Sequence, residues 1–334
     1  MYFGMNRRGR IMSDIILSIY IPTYNRSNKV ANQLEFLICE IDKISAIEAR
    51  KIEIIVNNNC STDDTEEKVF EVIKETRIKY HANNINLGIV GNAYAALEHT
   101  HGKYVWIISD DDILHEGIIK RTLEIIEGNS HISYIFLNYS DNISTDDGLY
   151  NGPEGIIADG SSVLANRKYR HNFTTLVFTT SSIYLRECLA ETIENLPLTT
   201  RESYGWSGYA SLTALKRGNA FFDRKVWVNY GITKSWEDFE SEAYMGEIRA
   251  LAKLNKVGYT RREIRQIVKA WIVSIRIVDI LAYCLLWKSH KYKQFINEYL
   301  FCIRKAPGYV IKASCKLVGK LIQKVKNGNL VWDR

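Results

Sequence analysis

Tyr104-Val105-Trp106-Ile107-Ile108-Ser109-Asp110-Asp111-Asp112-Ile113-Leu114 carries an apolar run straight into three consecutive aspartates. Bounded by Gly102-Lys103 on one side and by charge on the other, the run predicts an interior strand of a parallel sheet in an α/β fold. Such a strand delivers carboxylates to its own tip, and ligands of open α/β sheets bind at that end. Adjacent carboxylates repel one another unless a cation neutralises them. Their hard oxygens suit Mg²⁺ or Mn²⁺ held together with a phosphate. Taken alone, the triplet reads equally well as a solvated acidic turn capping the helix predicted over Gly117 to Glu127.

Upstream, strands and helices alternate. Ile15-Ile16-Leu17-Ser18-Ile19-Tyr20-Ile21 is a β-branched strand closed by Pro22-Thr23-Tyr24-Asn25-Arg26. A helix period from Lys29 to Ile44 follows, and Ile52-Glu53-Ile54-Ile55-Val56 predicts a second strand, so the order is βαβ. That strand ends in Asn57-Asn58-Asn59-Cys60-Ser61-Thr62-Asp63-Asp64, where Ser61, Thr62 or Asp63 can cap the next helix. A short strand over Ile78 to Ala82 leads into an Asn- and Gly-rich loop through Asn92, then a helix to Thr100. Polar loops thus converge on one sheet edge. Singly, Pro22 and Asn25 read as turn residues, Gly88 and Gly91 as packing glycines, and Asn57 to Asn59 as a solvated turn. Unrelated turns have no reason to assemble one crevice.

Four segments in order, Ile21-Pro22-Thr23-Tyr24-Asn25-Arg26, Ser61-Thr62-Asp63-Asp64-Thr65, Asn86-Leu87-Gly88 with Gly91-Asn92, and Asp110-Asp111-Asp112, resemble the motifs of family 2 glycosyltransferases of the GT-A fold. The resemblance covers residues 14–140. It implies a Rossmann-like nucleotide-diphosphosugar transferase domain, a Mg²⁺ or Mn²⁺ cofactor, and a reaction that inverts the anomeric centre. It further implies Pro22, Thr23 and Tyr24 against the nucleotide, with Asn25, Arg26, Gly88 and Asn92 as further donor-site residues. Asn58 takes the place usually held by a base-reading aspartate. Asp110 and Asp112 resemble the metal-binding pair, Asp112 as the direct ligand, and Asp111 lies near the ribose. Asparagine at 57, 58 and 59 departs from the family pattern. An amide both donates and accepts, which complements cytosine, while uridine or thymidine would be served by its oxygen alone.

The second half is less explicit. Ser133 to Tyr139 predicts a strand, Asp141 to Gly160 a long irregular segment, and Thr174 to Leu185 a β-branched run. Ala220-Phe221-Phe222 and Lys225 to Tyr230 predict two short strands after a helix over Tyr209 to Lys216. This half is expected to bind the acceptor. An inverting transfer needs a general base within hydrogen-bond reach of the acceptor hydroxyl. Glu202, ahead of Ser203-Tyr204-Gly205-Trp206 where the family keeps its base, is the leading candidate; its bland reading is a solvated loop carboxylate. Asp223 beside Arg224 reads as an ion pair or turn, and His171 is a weaker alternative base.

The 334 residues allow one large or two ordinary domains, and 46% hydrophobic content is ample for a sizeable core. A net charge of +6 does not argue for nucleic acid as a partner. The basic excess lies after Lys288, whereas acidic clusters lie in the first half. Scattered cysteines without CxxC spacing, and no signal peptide, predict reduced thiols and a cytoplasmic location. Residues 1–13 read as a disordered leader, 14–233 as the transferase domain (donor half 14–140, acceptor half 141–233), and 234–334 as a basic helical region. In Ile311 to Lys326, Leu317, Leu321 and Val325 share one side while lysines at 312, 316, 320, 324 and 326 face the other. Such a helix lies at an anionic membrane interface or presents a solvated lysine face. Bacterial proteins of the family it resembles commonly build O-antigen or capsule units on a polyprenyl-diphosphate lipid at the inner leaflet. The expected partners are therefore a nucleotide-diphosphosugar donor, a glycan or polyprenyl-linked acceptor, and a peripheral membrane contact. Two other classes fit less well. A sugar-phosphate nucleotidyltransferase wants a glycine-rich basic loop that Pro22-Thr23-Tyr24-Asn25 does not supply. A non-catalytic glycan- or lipid-binding relative would not need the intact Asp110 to Asp112.

Overall fold

The computed structural model describes residues 14–129, 131–141, 147–165, 175–231, 240–274 and scattered positions between 300 and 315. The expected leader, His171, the expected domain boundary and the basic helix over 311–326, apart from two isolated positions, lie outside the described residues.

A nine-stranded sheet forms the centre, with strands β1 (Leu17–Thr23), β2 (Ile52–Asn58), β3 (Lys79–Ala82), β4 (Tyr104–Ile107), β5 (Ile113–Leu114), β6 (Ile132–Ser140), β7 (Gly155–Ile157), β8 (Ser182–Leu185) and β9 (Asn219–Asn229). The helices are α1 (Ser27–Asp42), α2 (Ala46–Ala49), α3 (Thr65–Ile73), α4 (Gly88–Tyr94), α5 (Ala96–His99), α6 (Ile118–Glu127), α7 (Ser162–Ala165), α8 (Arg186–Asn195), α9 (Trp206–Arg217), α10 (Glu240–Ala252) and α11 (Arg261–Ser274). The strand order is β3-β2-β1-β4-β8-β6-β9-β5, with β7 on β9. β3, β2, β1 and β4 run parallel. The connection reverses direction between β1 and β4, which makes their carboxyl ends the topological switch point where ligands bind.

The apolar runs explain these central strands. Leu17, Ile19, Tyr20, Ile21, Ile55, Val56, Tyr104, Val105 and Trp106 are fully buried, as strands covered on both faces must be. Pro22 is tolerated near the middle of the sheet because β1 pairs with β4 only as far as Tyr20; past that point no ladder bond on that side is lost. At the opposite end of the sheet, Ser18 donates to Glu53 Oε1 (2.7 Å) and accepts from the Gly102 amide (2.7 Å). A Cβ on Gly102 would sit 2.7 Å from the Ser18 nitrogen, so glycine permits β4 to enter beside β1.

Several expectations are corrected. The sheet is mixed rather than parallel, because β8 pairs antiparallel with both β4 and β6. The two strands expected over 220–230 are one, β9, whose register against β6 jumps between Asp223 and Val226. Asp223 Oδ1 accepts from the Lys225 amide there, closing a bulge that mimics a turn in sequence. The run from Thr175 to Leu185 pairs only from Ser182 onward. Before that, the Thr180 carbonyl accepts from the Trp106 indole (2.7 Å), and Thr179–Ser181 form a 3-10 turn. The helix expected after Asn92 begins earlier, at Gly88, where φ of +71° suits glycine and the Asn86 side chain accepts the Gly88 amide.

One continuous apolar core joins the sheet to the last described helices, through Ile248 and Leu251 of α10 and Ile264, Ile267, Val268 and Trp271 of α11. α10 packs on the 3-10 helix Arg201–Gly205 so closely that a Cβ on Gly205 would lie 2.5 Å from Glu247 Cα. No described helix is long and apolar enough to cross a membrane.

Candidate active site

The aspartate triplet sits where β4 leaves the sheet. Ile108 still donates to the Tyr20 carbonyl (3.0 Å), and the Ser109 amide then turns to Thr180 Oγ1 (3.0 Å). Asp110 and Asp112 are both buried, 4% exposed, so the solvated-turn reading does not hold for them. Asp110 Oδ2 accepts from Thr23 Oγ1 (2.7 Å), and its Oδ1 meets an Arg26 guanidinium nitrogen at 2.6 Å. The same nitrogen lies 3.2 Å from Asp111 Oδ2, and Lys29 Nζ lies 3.6 Å from that oxygen. Asp112 Oδ2 accepts from Thr180 Oγ1 (2.5 Å) and Oδ1 from the Gly231 amide (2.8 Å).

Among the described residues, the three aspartates face two cationic groups, Arg26 and Lys29. Burial pushes the Asp112 carboxyl up to about 6, with Asp111 and Asp110 adding to the rise and the Thr180 and Gly231 bonds opposing it. Burial also raises Asp110, against the pull of Arg26 and Thr23. For Arg26, burial disfavours the charge, but Asp110 and then Asp111 outweigh it and hold the guanidinium charged.

The loops after β1 and β2 lock onto each other. Asn25, at φ +52°, donates its amide to Ser61 Oγ (2.8 Å) and accepts the Thr62 amide on Oδ1 (2.8 Å). The Arg26 amide donates to Thr65 Oγ1, and the Asn59 amide to the Thr23 carbonyl. Tyr24 stands beside them 41% exposed. Among the asparagines, side chains alternate with the strand period. Asn57 Nδ2 donates to Asn92 Oδ1 (2.5 Å) and to Asn83 Oδ1 (3.2 Å). Asn59 Nδ2 donates to Asn86 Oδ1 (2.9 Å) and to the Gly88 carbonyl (3.3 Å) while its oxygen accepts the Leu87 amide. These bonds need a donor, so an aspartate at 57 or 59 would oppose its partners. Asn57 and Asn59 therefore clamp the loop that carries Gly88 and Asn92. Asn58 faces the other way, donating to Tyr80 Oη (2.9 Å) and accepting the Ser61 amide (2.9 Å).

Thr23, Arg26, Asp110, Asp111 and Asp112 thus form one cluster, with Asn25 and Asn58 on the adjoining loops. Glu202 stands apart from it in hydrogen bonding. It lies on the 3-10 helix Arg201–Gly205, and its carboxylate meets Lys253 Nζ at 3.4 Å. Burial would raise its pKa, but its own backbone amide, Lys253 and Thr200 together hold it below the ordinary range. Asp223 is an ion pair and bulge residue, bonded by Arg121 Nε at 2.7 Å. Thr180, Gly231, Lys29 and Tyr80 are site residues that the sequence reading missed. Lys29 alone left a usable signal, one helical turn after Arg26.

Among the described residues no group of three or more His, Cys, Asp or Glu side chains converges as a cage for a metal. Asp110 and Asp112 offer hard oxygens on two buried carboxylates, of which Asp110 meets Arg26 and Asp112 is bonded only by neutral donors among the described residues. That donor set fits a Mg²⁺- or Mn²⁺-type cation that takes its remaining ligands from a diphosphate and water.

The family model for glycosyl transferase family 2 matches residues 18–191. An abequosyltransferase, RfbV, of Salmonella typhimurium is 36% identical over 103 residues, 30% of this chain and 29% of that protein. A GalNAc(5)-diNAcBac-PP-undecaprenol beta-1,3-glucosyltransferase of Campylobacter jejuni is 33% identical over 119 residues, 35% of this chain and 36% of that protein. A glycosyltransferase of Rickettsia conorii is 28% identical over 149 residues, 43% of this chain and only 23% of that protein. The match thus spans about a quarter to a third of the length of these curated relatives. Among solved structures, S. aureus TarS 1-349 superposes with a TM-score of 0.63 at 17% identity, covering 94% of this chain and 88% of that one. The mannosyltransferase PcManGT from Pyrobaculum calidifontis, in complex with GDP-Man and Mn²⁺, does so with a TM-score of 0.56 at 15% identity, covering 90% and 86%. These likenesses show the fold, which is GT-A.

Proposed function

Since the chain belongs to glycosyl transferase family 2, we propose that it is an inverting glycosyltransferase. It moves a sugar from a nucleotide-diphosphosugar to a glycan or polyprenyl-linked glycolipid in surface polysaccharide synthesis. The observation that carries this reading is the buried pair Asp110 and Asp112 at the switch point, joined to the β1 tip through Thr23 and Arg26.

In this reading the diphosphate lies over the carboxyl ends of β1 and β4. Asp110 and Asp112 would hold Mg²⁺ or Mn²⁺, which would supply positive charge for the departing diphosphate. Arg26 and Lys29 add positive charge on the same side. Pro22, Thr23 and the exposed Tyr24 ring line the nucleotide, Asp111 faces the ribose, and Asn58 meets the base with its amide oriented by Tyr80 and Ser61. Glu202 is the general base. Its lowered pKa leaves it ionised at neutral pH, and Lys253 holds it in place. It takes the proton of the acceptor hydroxyl as that oxygen attacks the anomeric carbon opposite the leaving diphosphate, so configuration inverts in one displacement with no covalent enzyme intermediate.

Residues 14–140 serve the donor and 141–233 the acceptor in this account. A polyprenyl-linked acceptor is supported by the Campylobacter relative, whose name specifies an undecaprenol-diphosphate substrate. The lysine-faced stretch over 311–326 adds a peripheral contact with the inner face of the membrane. Removing residues 308–334 should then weaken binding to anionic liposomes at low salt, and unchanged binding would count against that contact. The donor is tested by thermal stabilisation across a panel of nucleotide sugars with and without Mn²⁺. A ligand at 100-fold its Kd adds about 2.7 kcal/mol. Stabilisation by one sugar nucleotide that depends on Mn²⁺ is expected; none across the panel would contradict the proposal.

A further inference from the structure

We infer that Arg26 is a resident counter-cation of the carboxylate cluster, seated on Asp110 until donor arrives and then transferred to the donor's diphosphate, so that metal entry and donor entry are coupled. The inference rests on the reading of Asp110 and Asp112 as metal ligands. One guanidinium nitrogen of Arg26 spans Asp110 Oδ1 (2.6 Å) and Asp111 Oδ2 (3.2 Å). Among the described residues, the other hydrogen-bond partners of Asp110 and Asp112 are neutral donors, namely Thr23, Thr180 and the Gly231 amide. Each carboxylate oxygen keeps a second lone pair beside a neutral donor, so those bonds are compatible with metal ligation. A guanidinium on the same oxygen is not, because it brings a full like charge against the incoming cation.

Arg26 is also built to move by its side chain alone. Its backbone is fixed, the amide on Thr65 Oγ1 and the carbonyl accepting from Lys29 and Val30 at the start of α1. Its side chain is 22% exposed, at the edge of the cluster rather than beneath it. When it leaves, Lys29, one turn along α1, remains beside Asp111. A diphosphate offers the departing guanidinium a better, bidentate partner than one carboxylate oxygen.

The test is Mn²⁺ binding by the full chain, read from the electron paramagnetic resonance signal of the free ion, with and without UDP, CDP or GDP. Arg26→Gln should bind Mn²⁺ alone about tenfold or more tightly than wild type. The factor by which nucleoside diphosphate strengthens Mn²⁺ binding should shrink correspondingly, and the same change should appear in nucleotide affinity by linkage. Arg26→Met, which cannot ligate through an amide oxygen, should behave alike, and Lys29→Gln should shift Mn²⁺ affinity less. Circular dichroism checks that each variant is folded. Equal or weaker Mn²⁺ binding by both Arg26 variants, as a merely structural arginine would give, overturns the inference; loss of binding in Asp112→Asn would then still uphold the metal reading. No Mn²⁺ binding by wild type with any diphosphate overturns both.

Discussion

Replacing Thr180 by valine keeps the side-chain shape and removes one hydroxyl that serves two backbone-distant groups. That hydroxyl donates to Asp112 Oδ2 (2.5 Å) and accepts from the Ser109 amide (3.0 Å), and Thr180 is 1% exposed, so water cannot replace it. Losing a hydrogen bond to a charged group costs about 1.5–3 kcal/mol, and an orphaned amide adds about 1–3 kcal/mol. Allowing for relaxation, Thr180→Val should destabilise the protein by about 2–4 kcal/mol at pH 7.5. The effect should depend on pH. Asp112 already has a carboxyl raised to about 6 from 3.8, so the folded state binds its proton more tightly than the unfolded state. Stability from this group is therefore gained as pH falls through 6 toward 3.8. Removing a bond to the ionised form raises the carboxyl further, and the penalty should shrink at pH 5, where the group is protonated. Urea denaturation followed by tryptophan fluorescence, in EDTA, measures both values. Thr62→Val, whose hydroxyl makes only a 3.5 Å contact, is the control and should stay within about 0.5 kcal/mol. A Thr180→Val protein as stable as the control, or one equally impaired at both pH values, would refute the claim that Thr180 buttresses an ionised Asp112.

Glu53→Gln should cost about 1.5–3 kcal/mol at pH 7. Burial raises this carboxyl, but Lys79, Ser18 and the His101 amide outweigh it and hold it low, so its stabilisation exists above the unfolded value of 4.5 and is lost as pH falls through the folded one. Urea midpoints of wild type and variant should accordingly draw together as pH is lowered below 4.5. Glu202→Gln should lower kcat by about 10²–10⁴-fold while nucleotide affinity stays within experimental error, measured by turnover and by calorimetric titration. In inhibition assays with CDP, UDP, dTDP and GDP, CDP should be among the tighter wild-type inhibitors. Asn58→Asp should shift the ranking toward UDP by about tenfold or less. The aspartate can accept from both Tyr80 Oη and the Ser61 amide, so the loop should survive.

The central strands of the parallel half were legible because they are buried on both faces and so appear as largely apolar runs: Leu17 to Ile21, broken only by Ser18, Ile52 to Val56, broken only by Glu53, and Tyr104 to Ile108 each lead into polar residues at the strand tip. The antiparallel half was not. β8 is four residues long, and its preceding turn spends Thr180 on the β4 tip, which no local pattern announces. The partners of Asp112 lie 68 and 119 residues away, Thr180 and Gly231, beyond any local signal. The asparagine triplet holds a different lesson. Treated as a block it read as a departure from the family pattern; read with the strand period of two, Asn57 and Asn59 share one face, where they clamp the loop over 83–92, and Asn58 points the other way. Asp223 was readable as a turn residue, its carboxylate bonding the Lys225 amide, but its ion-pair partner is Arg121, 102 residues away, and not the adjacent Arg224.

The central claim concerns the carboxylates at the β4 tip, and Asp112→Asn tests it with little disturbance of the fold. The amide oxygen can keep the Gly231 amide bond, and the amide nitrogen can donate to Thr180 Oγ1 in place of receiving from it. Nucleoside diphosphate release from the stabilising sugar nucleotide should be measured with acceptor lipid extract, for both proteins, in Mn²⁺ and in excess EDTA. The account predicts release by wild type in Mn²⁺, none in EDTA, and loss of about 10²-fold or more in a folded Asp112→Asn protein. Equal release by the variant, or wild-type release undiminished by EDTA, would contradict it.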